Sequence, residues 1–199
     1  MRISLQMHAR LRWLLAIATL IVFAVFSARA QAQGITFTAD PAQTAADFIL
    51  NTTFHTVHGN FRAKRGELHF DPASGKVTGA IVFDATSGQS ANDGRDKKMQ
   101  KEVLESQTYP EITFRPDRAE GKVGPGTSTV HVHGQFNIHG ADHEITIPVQ
   151  VTFAAGAWTA TAHFSVPYIQ WGMKNPSLLF LRVSDSVDLD FHGAGKLTP

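Results

Sequence analysis

The stretch VHVHGQFNI, residues 130–138, alternates apolar and polar side chains over its whole length. A period of two places successive side chains on opposite faces of a β-strand. After the turn Gly140-Ala141-Asp142, the same alternation returns in EITIPVQVTF, residues 144–153. Two alternating runs joined by a short turn predict an antiparallel hairpin with one buried face.

The alternation continues on both sides of this hairpin. Strands are predicted downstream and, less cleanly, upstream, over residues 46–54, 68–70, 77–85, 112–114, 158–166 and 183–191. Turn-forming sequences separate these runs, for example Asp71-Pro72-Ala73-Ser74-Gly75 and Ala155-Gly156. Strands at this spacing predict an all-β domain, an antiparallel meander that curls into a barrel or a sandwich.

One segment lacks the alternation. Residues 93–107 are charged, and Met99 lies four residues before Val103, with Leu104 beside it. That spacing predicts a short amphipathic helix, capped by Asn92 or Asp93. Because the helix falls between two strands, we expect it to cross one end of the barrel as a plug or lid.

Residues 1–32 have the features of a secretory signal peptide. Arg10 and Arg12 precede an apolar run over residues 14–26, and small-residue cleavage sites follow at Ala28-Arg29-Ala30 and Ala30-Gln31-Ala32. The run is short for a membrane span, although an uncleaved anchor is the alternative. We therefore predict a signal peptide at 1–32 and one barrel domain at 33–199, located in the periplasm or secreted.

Loss of the leader changes the charge of the protein. The leader carries four arginines and no acidic residue, so the remaining 14 basic and 17 acidic residues give a net charge of −3. A mildly acidic domain without a basic stripe lacks the electrostatic features of a nucleic-acid binder. The chain has no cysteine, which excludes disulfides and thiolate chemistry. It also lacks the common motifs of catalysis, so we predict a protein that is not an enzyme.

The predicted inward faces combine many phenylalanines with small residues. The chain has 14 phenylalanines and only 2 tyrosines. Ala160 and Ala162 fall on the inward face of one strand, and Gly79 and Gly134 on the inward faces of others. Small residues opposite large ones are compatible with a filled core or with an apolar pocket, since a small barrel can do either.

Several segments together resemble the YceI-like family of polyisoprenoid-binding proteins. The resemblance spans nearly all of the chain after the leader, and its parts occur in the family's order and spacing. The segments are residues 40–48, VHGNF (57–61), RDKKM (95–99), YPEITF (109–114), GQFNIHG (134–140), WGMKNPS (171–177) and LRV (181–183).

The resemblance implies an eight-stranded, lipocalin-like antiparallel barrel with one short helix that holds a long isoprenoid chain, such as a polyprenyl phosphate or a quinone tail. No other cofactor is expected. The implied partner is this apolar lipid, with transient membrane contact and no nucleic acid, and both a monomer and a homodimer fit. The predicted ligand-binding residues are Phe48, Leu50, Phe54, Ile81, Phe83, Phe114, Phe136, Ile138, Val149, Phe153, Ala160, Ala162, Phe164 and Leu189.

Arg95 and Trp171 are candidates for contact with the ligand's head group. A guanidinium suits a phosphate, but Arg95 also fits a role that ties the helix to the barrel. Trp171 fits a loop that closes one end of the barrel. The alternative functions are a quinone- or metal-dependent redox accessory protein and a structural barrel with a filled core.

The histidines are the candidate ligands for a metal. His131 and His133 share a strand face, and His139 and His143 bracket a turn. Such an arrangement could bind zinc or copper. The alternation, however, places His131, His133 and His139 on the polar face, with no carboxylate fixed beside them. We predict solvated outer-face histidines and no metal site.

Overall fold

The computed structural model describes residues 34–124, 126–177 and 180–198. The predicted signal peptide lies outside these ranges. The strands are β1 (Ile35–Ala39), β2 (Ala45–Asn51), β3 (Thr56–Phe70), β4 (Val77–Asp84), β5 (Glu111–Glu120), β6 (Gly126–Ile138), β7 (Ala141–Ala154), β8 (Ala157–Val166) and β9 (Val187–Thr198). Within the described ranges, no helix is long and apolar enough to cross a membrane.

The strands close into an antiparallel barrel with eight positions. Each strand from β3 to β9 pairs with the next, and β2 closes the ring between β3 and β9. The short β1 also pairs with β3 and β9, beyond the end of β2. A 3-10 turn at Pro41–Gln43 separates β1 from β2, so the two share one position. The predicted lipocalin-like barrel is confirmed.

The predicted β6–β7 hairpin forms, with a tighter turn than Gly140-Ala141-Asp142, because Ala141 and Asp142 already pair with Ile138 and Asn137. Val130 pairs with Val149, and the ladder continues to Ile138 and Ala141 at the turn. Gly140 has a φ of 76°, and a Cβ atom there would lie 2.4 Å from the Tyr109 ring. Both the left-handed backbone and the close contact with the ring therefore require glycine at this position.

The predicted helix begins at the expected residue and is shorter than predicted. Helix α1 spans Asp93–Lys98, and Oδ1 of Asn92 accepts a hydrogen bond from the backbone N of Arg95 over 2.9 Å. A π-helical turn follows at Met99–Val103. Val103 and Leu104 are buried in the core, with Met99 packed against it, so this segment covers one end of the barrel.

The barrel has two different ends. The connections β2–β3, β4–β5, β6–β7 and β8–β9 meet at the end that carries helix α1, which we call the α1 end. The connections β3–β4, β5–β6 and β7–β8 meet at the opposite end. Helix α1 and the long β8–β9 connection therefore lie at the α1 end, and shorter turns lie at the other.

Two details of the predicted strands are wrong. The last strand begins at Val187, because Val183 makes only an isolated bridge to Thr52. Phe54 does not point inward, since β2 ends at Asn51 and the alternation stops in the turn that follows. Its side chain is 70% exposed.

Candidate ligand-binding cavity

The barrel encloses a cavity of about 860 Å³. This volume lies near the upper end of the range for small-molecule sites in proteins. The lining runs from one end of the barrel to the other and consists almost entirely of aliphatic and aromatic side chains. The sequence left open a filled core and an apolar pocket. The interior is hollow, so the structure has the apolar pocket.

The cavity wall contains every predicted ligand-binding residue except Phe54. They come from β2, β4, β5, β6, β7, β8 and β9, because one side chain in two on each strand faces inward. They are Phe48, Leu50, Ile81, Phe83, Phe114, Phe136, Ile138, Val149, Phe153, Ala160, Ala162, Phe164 and Leu189.

Other lining residues were not predicted. Val57 and Phe61 come from β3, where glycines and a register shift near Ala63 obscure the alternation. Met99 and Val103 come from the helical segment. Their spacing of four residues is the sequence feature that could have identified them as lining residues. Phe37 comes from β1, a strand that the sequence patterns did not indicate.

Polar lining residues collect at the α1 end. They are Thr52, His55, Ser90, Arg95 and Lys98. At the opposite end the wall includes Ile35, Phe70 and Val123. The cavity is therefore amphipathic along the barrel axis, apolar at one end and basic at the other.

Arg95 is held at the cavity wall by hydrogen bonds to Ser90. Its Nε donates to Oγ of Ser90 over 2.7 Å, and Nη2 donates to the Ser90 carbonyl. The Ser90 hydroxyl donates in turn to the Asp96 carboxylate, which also accepts from the Ser90 backbone N at 3.1 Å. This chain positions the guanidinium and ties helix α1 to Ser90 within the β4–β5 connection. The neighbouring Gln89 donates its backbone N to the Asn60 carbonyl of β3 over 3.1 Å, which links the connection to the barrel.

Lys98 is the second cation at this end. Its Nζ donates to the Pro176 carbonyl over 3.1 Å, which links the helix to the β8–β9 connection. Among the described residues, neither Arg95 nor Lys98 forms an ion pair with a carboxylate. Two half-buried cations without an anionic partner create a site suited to an anion.

Trp171 packs beside the cavity and does not line it. Its ring lies 5.9 Å from that of Phe136 and stacks on His143 at 4.0 Å, with only 4° between the two planes. Nε2 of His143 is buried without a hydrogen-bond partner among the described residues. Burial lowers the pKa of His143, because the charged imidazolium would lose its hydration. The predicted head-group contact by Trp171 has no support from this position.

The prediction for His133 is wrong, because this outer-face histidine is only 8% exposed. Nδ1 lies 2.8 Å from Oδ1 of Asp117, and Nε2 lies 2.7 Å from Oε1 of Glu144. Asp117 occupies a bulge in β5, between the residues that pair with Gly134 and His133. These hydrogen bonds, chiefly that to Asp117, raise the pKa of His133.

His139 and His131, the other two histidines predicted on the outer face, have surroundings that differ from those of His133. His139 is at the hairpin turn, where its ring lies 4.8 Å from that of Tyr109. His131 is exposed on β6. Over the part of the chain that the structure describes, no three His, Asp or Glu side chains are arranged to hold a metal ion.

These features define a class of protein: a closed antiparallel barrel that encloses an elongated apolar cavity with basic groups at one end. A model of the YceI-like domain family matches residues 37–194. The chain belongs to this family. No curated protein sequence matches it.

Solved structures share the fold at low sequence identity. BcnA from Burkholderia cenocepacia superposes with a TM-score of 0.64 at 18% identity, over 79% of this chain and 99% of BcnA. A polyisoprenoid-binding domain from Saccharophagus degradans, implicated in plant cell wall breakdown, gives 0.64 at 16% identity, over 81% and 98%. The Campylobacter jejuni YCEI protein gives 0.59 at 19% identity, over 72% and 86%.

Proposed function

We propose that this protein holds a long apolar isoprenoid-type lipid inside its barrel, for carriage, storage or scavenging. The observation that carries this proposal is the cavity of about 860 Å³ with its almost wholly apolar wall. The solved domain described as polyisoprenoid-binding has the same fold and supports this choice of ligand. The role is one of binding, without a chemical reaction.

The apolar wall supplies the driving force for such binding. Each methylene group that moves from water into the barrel contributes about 0.8 kcal/mol. A chain of many such groups exceeds the entropic cost of association, which lies between about 4 and 15 kcal/mol. Long hydrocarbon chains therefore gain most from this cavity.

The basic α1 end gives the ligand a direction. Arg95 and Lys98 line the cavity there and lack carboxylate partners among the described residues. A phosphate would gain charge-assisted hydrogen bonds from both side chains. We place the head group at the α1 end and the tail toward Phe70 and Val123, and the two cations favour a polyprenyl phosphate over an uncharged quinone.

The leader supports export of the protein to the periplasm or the medium. The charged flank, the apolar run over 14–26 and the small-residue cleavage sites are typical of secretory signals. An exported binding protein without cysteine depends on core packing and not on disulfides, which this barrel provides.

A fluorescence titration tests ligand binding. Trp171 packs beside the cavity at the α1 end, where we place the head group, so a bound quinone ring should quench its emission. We expect decylubiquinone to quench saturably and undecaprenyl phosphate to displace it. The Trp171→Phe variant should lose most of this quenching and should retain binding, measured by displacement of a radiolabelled lipid. Emission that changes only linearly with added quinone, and no displacement, would contradict the proposal.

A further inference from the structure

Two large aromatic side chains at the α1 end are exposed to solvent. Phe180 is 85% exposed and Phe54 is 70% exposed, whereas the next large hydrophobic residue, Val123 at the opposite end, is 44% exposed. Exposed phenylalanines that cluster at one place mark interaction sites in soluble proteins.

The two phenylalanines belong to one structural unit. The backbone N of Thr53 donates to the Arg182 carbonyl over 3.0 Å, and the Arg182 N donates to Oγ1 of Thr53 over 3.0 Å. Thr52 also forms a β-bridge with Val183. We call residues 52–55 and 180–183 the lip. It brings Phe54 and Phe180 to the same edge of the barrel.

The lip is also part of the cavity wall. Thr52, His55, Leu181 and Val183 line the cavity. Their neighbours in the sequence, Phe54 and Phe180, do not. One side of the lip therefore faces the ligand space and the other faces solvent. A partner surface that binds the lip would therefore adjoin the cavity.

Hydrogen bonds fix the lip in place. The Ser184 N donates to the Asn51 carbonyl over 2.9 Å, and Nδ2 of Asn175 donates to Oδ1 of Asp185 over 2.8 Å. Oδ1 of Asn175 accepts from the Ser177 N at 2.9 Å. Residues close in sequence to both phenylalanines are therefore hydrogen-bonded to each other and to the barrel.

Positive charge accompanies the aromatic residues. Lys174 is exposed beside the lip and Arg182 is exposed within it, and neither forms an ion pair within the described ranges. The carboxylate of Asp185, which accepts from Asn175, is the opposing charge nearby, so the two cations leave the lip net positive. Arg95 and Lys98 lie in the adjacent cavity wall. Many proteins bind the interface of a phospholipid bilayer by inserting aromatic rings and placing basic residues near lipid phosphates.

We propose that the lip docks on a phospholipid bilayer, with Phe54 and Phe180 inserted at the headgroup level and Lys174 and Arg182 on lipid phosphates. The inference rests on the proposed lipid-binding function, because a water-insoluble chain must pass between bilayer and barrel. Docked in this way, the α1 end is apposed to the membrane and the ligand need not cross water.

Co-sedimentation with vesicles tests the proposal. The exported protein is mixed with vesicles of phosphatidylcholine alone or with added phosphatidylglycerol, both without isoprenoid. We expect Phe54→Ser with Phe180→Ser to lower binding to both by about tenfold or more, since each ring loses its burial in the interface. Lys174→Gln with Arg182→Gln should weaken binding mainly to the anionic vesicles, and added salt should have the same effect.

Ala73→Ser, in the exposed β3–β4 turn at the opposite end and outside the cavity wall, is the control and should bind vesicles as the wild type does. Equal binding by the wild type and the phenylalanine double variant would overturn the proposal, as would an equal loss in the Ala73 control. A wild-type dimer that the double variant converts to a monomer would also overturn it, because a second copy would then cover the lip. The fluorescence titration uses detergent-dispersed ligand, so its failure would be a separate result against the lipid-binding function.

Discussion

Arg95 donates a hydrogen bond to the buried Ser90 over 2.7 Å, and both residues line the basic end of the cavity. Arg95 and Lys98 should therefore bind the charged head of a ligand. We expect Arg95→Gln and Lys98→Gln each to weaken binding of undecaprenyl phosphate by about tenfold, the scale of one charge-assisted hydrogen bond. Binding of the uncharged decylubiquinone should change little.

Lys101→Gln is the control for this pair, because Lys101 is exposed on the same helical segment and does not line the cavity. It should leave both affinities unchanged. Displacement assays with the two ligands provide the comparison. An equal loss of affinity for phosphate and quinone in the Arg95 variant would indicate a structural role alone, through the Ser90 and Asp96 contacts.

Filling the cavity should block the ligand without unfolding the barrel. Ala160 is buried and lines the cavity. We expect Ala160→Leu to reduce lipid binding strongly while the free energy of unfolding changes by less than about 1 kcal/mol, because the added methyl groups enter empty space. In a filled core the same change would cost about 1–3 kcal/mol. Urea denaturation and the titration measure the two effects, with Thr159→Leu on the outer face as control.

The His133 cluster should make stability depend on pH. Both ring nitrogens face carboxylates, so the charged imidazolium can donate to Asp117 and Glu144 together. The pKa of His133 is raised, so its charged ring adds to the free energy of unfolding. This stabilisation is complete below the ordinary pKa near 6.5 and is lost as pH rises through the higher native pKa. Urea denaturation at a series of pH values from below about 6.5 upward should show the wild type converging on His133→Gln as pH rises. A constant difference between the two would contradict this account.

His143 should act in the opposite direction. Burial against Trp171 lowers its pKa, so the folded state favours the neutral ring. Stability is then retained above a pH of about 6.5 and falls as pH drops through the lower native pKa. A His143→Phe variant keeps the stacking and cannot titrate, so it should lose less stability than the wild type on acidification. Nuclear magnetic resonance titration of the ring protons gives the pKa directly, and a value at or above 6.5 would contradict the prediction.

The alternation along the strands was sufficient to predict an antiparallel all-β domain and much of the cavity wall. Residues 130–138 and 144–153 formed the expected hairpin, and inward residues such as Phe136 and Val149 line the cavity. Burial of one face of an antiparallel sheet produces alternating apolar and polar residues in the sequence, because successive side chains point to opposite faces. The closure of the ring and its eight positions were expected from the family resemblance.

Features that depend on contacts between distant segments were not predictable in this way. The bulge at Asp117 places a carboxylate beside His133, and a count of alternating residues does not show which strand contains a bulge. Phe54 continues the alternation of β2 in sequence, yet the hydrogen bonds of the lip end the strand before it. The same bonds bring Phe54 beside residues far along the chain, which no local pattern records.

Mass spectrometry of organic extracts from the exported, purified protein tests the central claim most directly. We predict an isoprenoid lipid that co-purifies with the wild type in near-stoichiometric amount and is depleted from Ala160→Leu. Thr159→Leu, prepared in parallel, should retain it. Extracts of the wild type that repeatedly contain no lipid, together with no uptake of added undecaprenyl phosphate or decylubiquinone, would contradict the account.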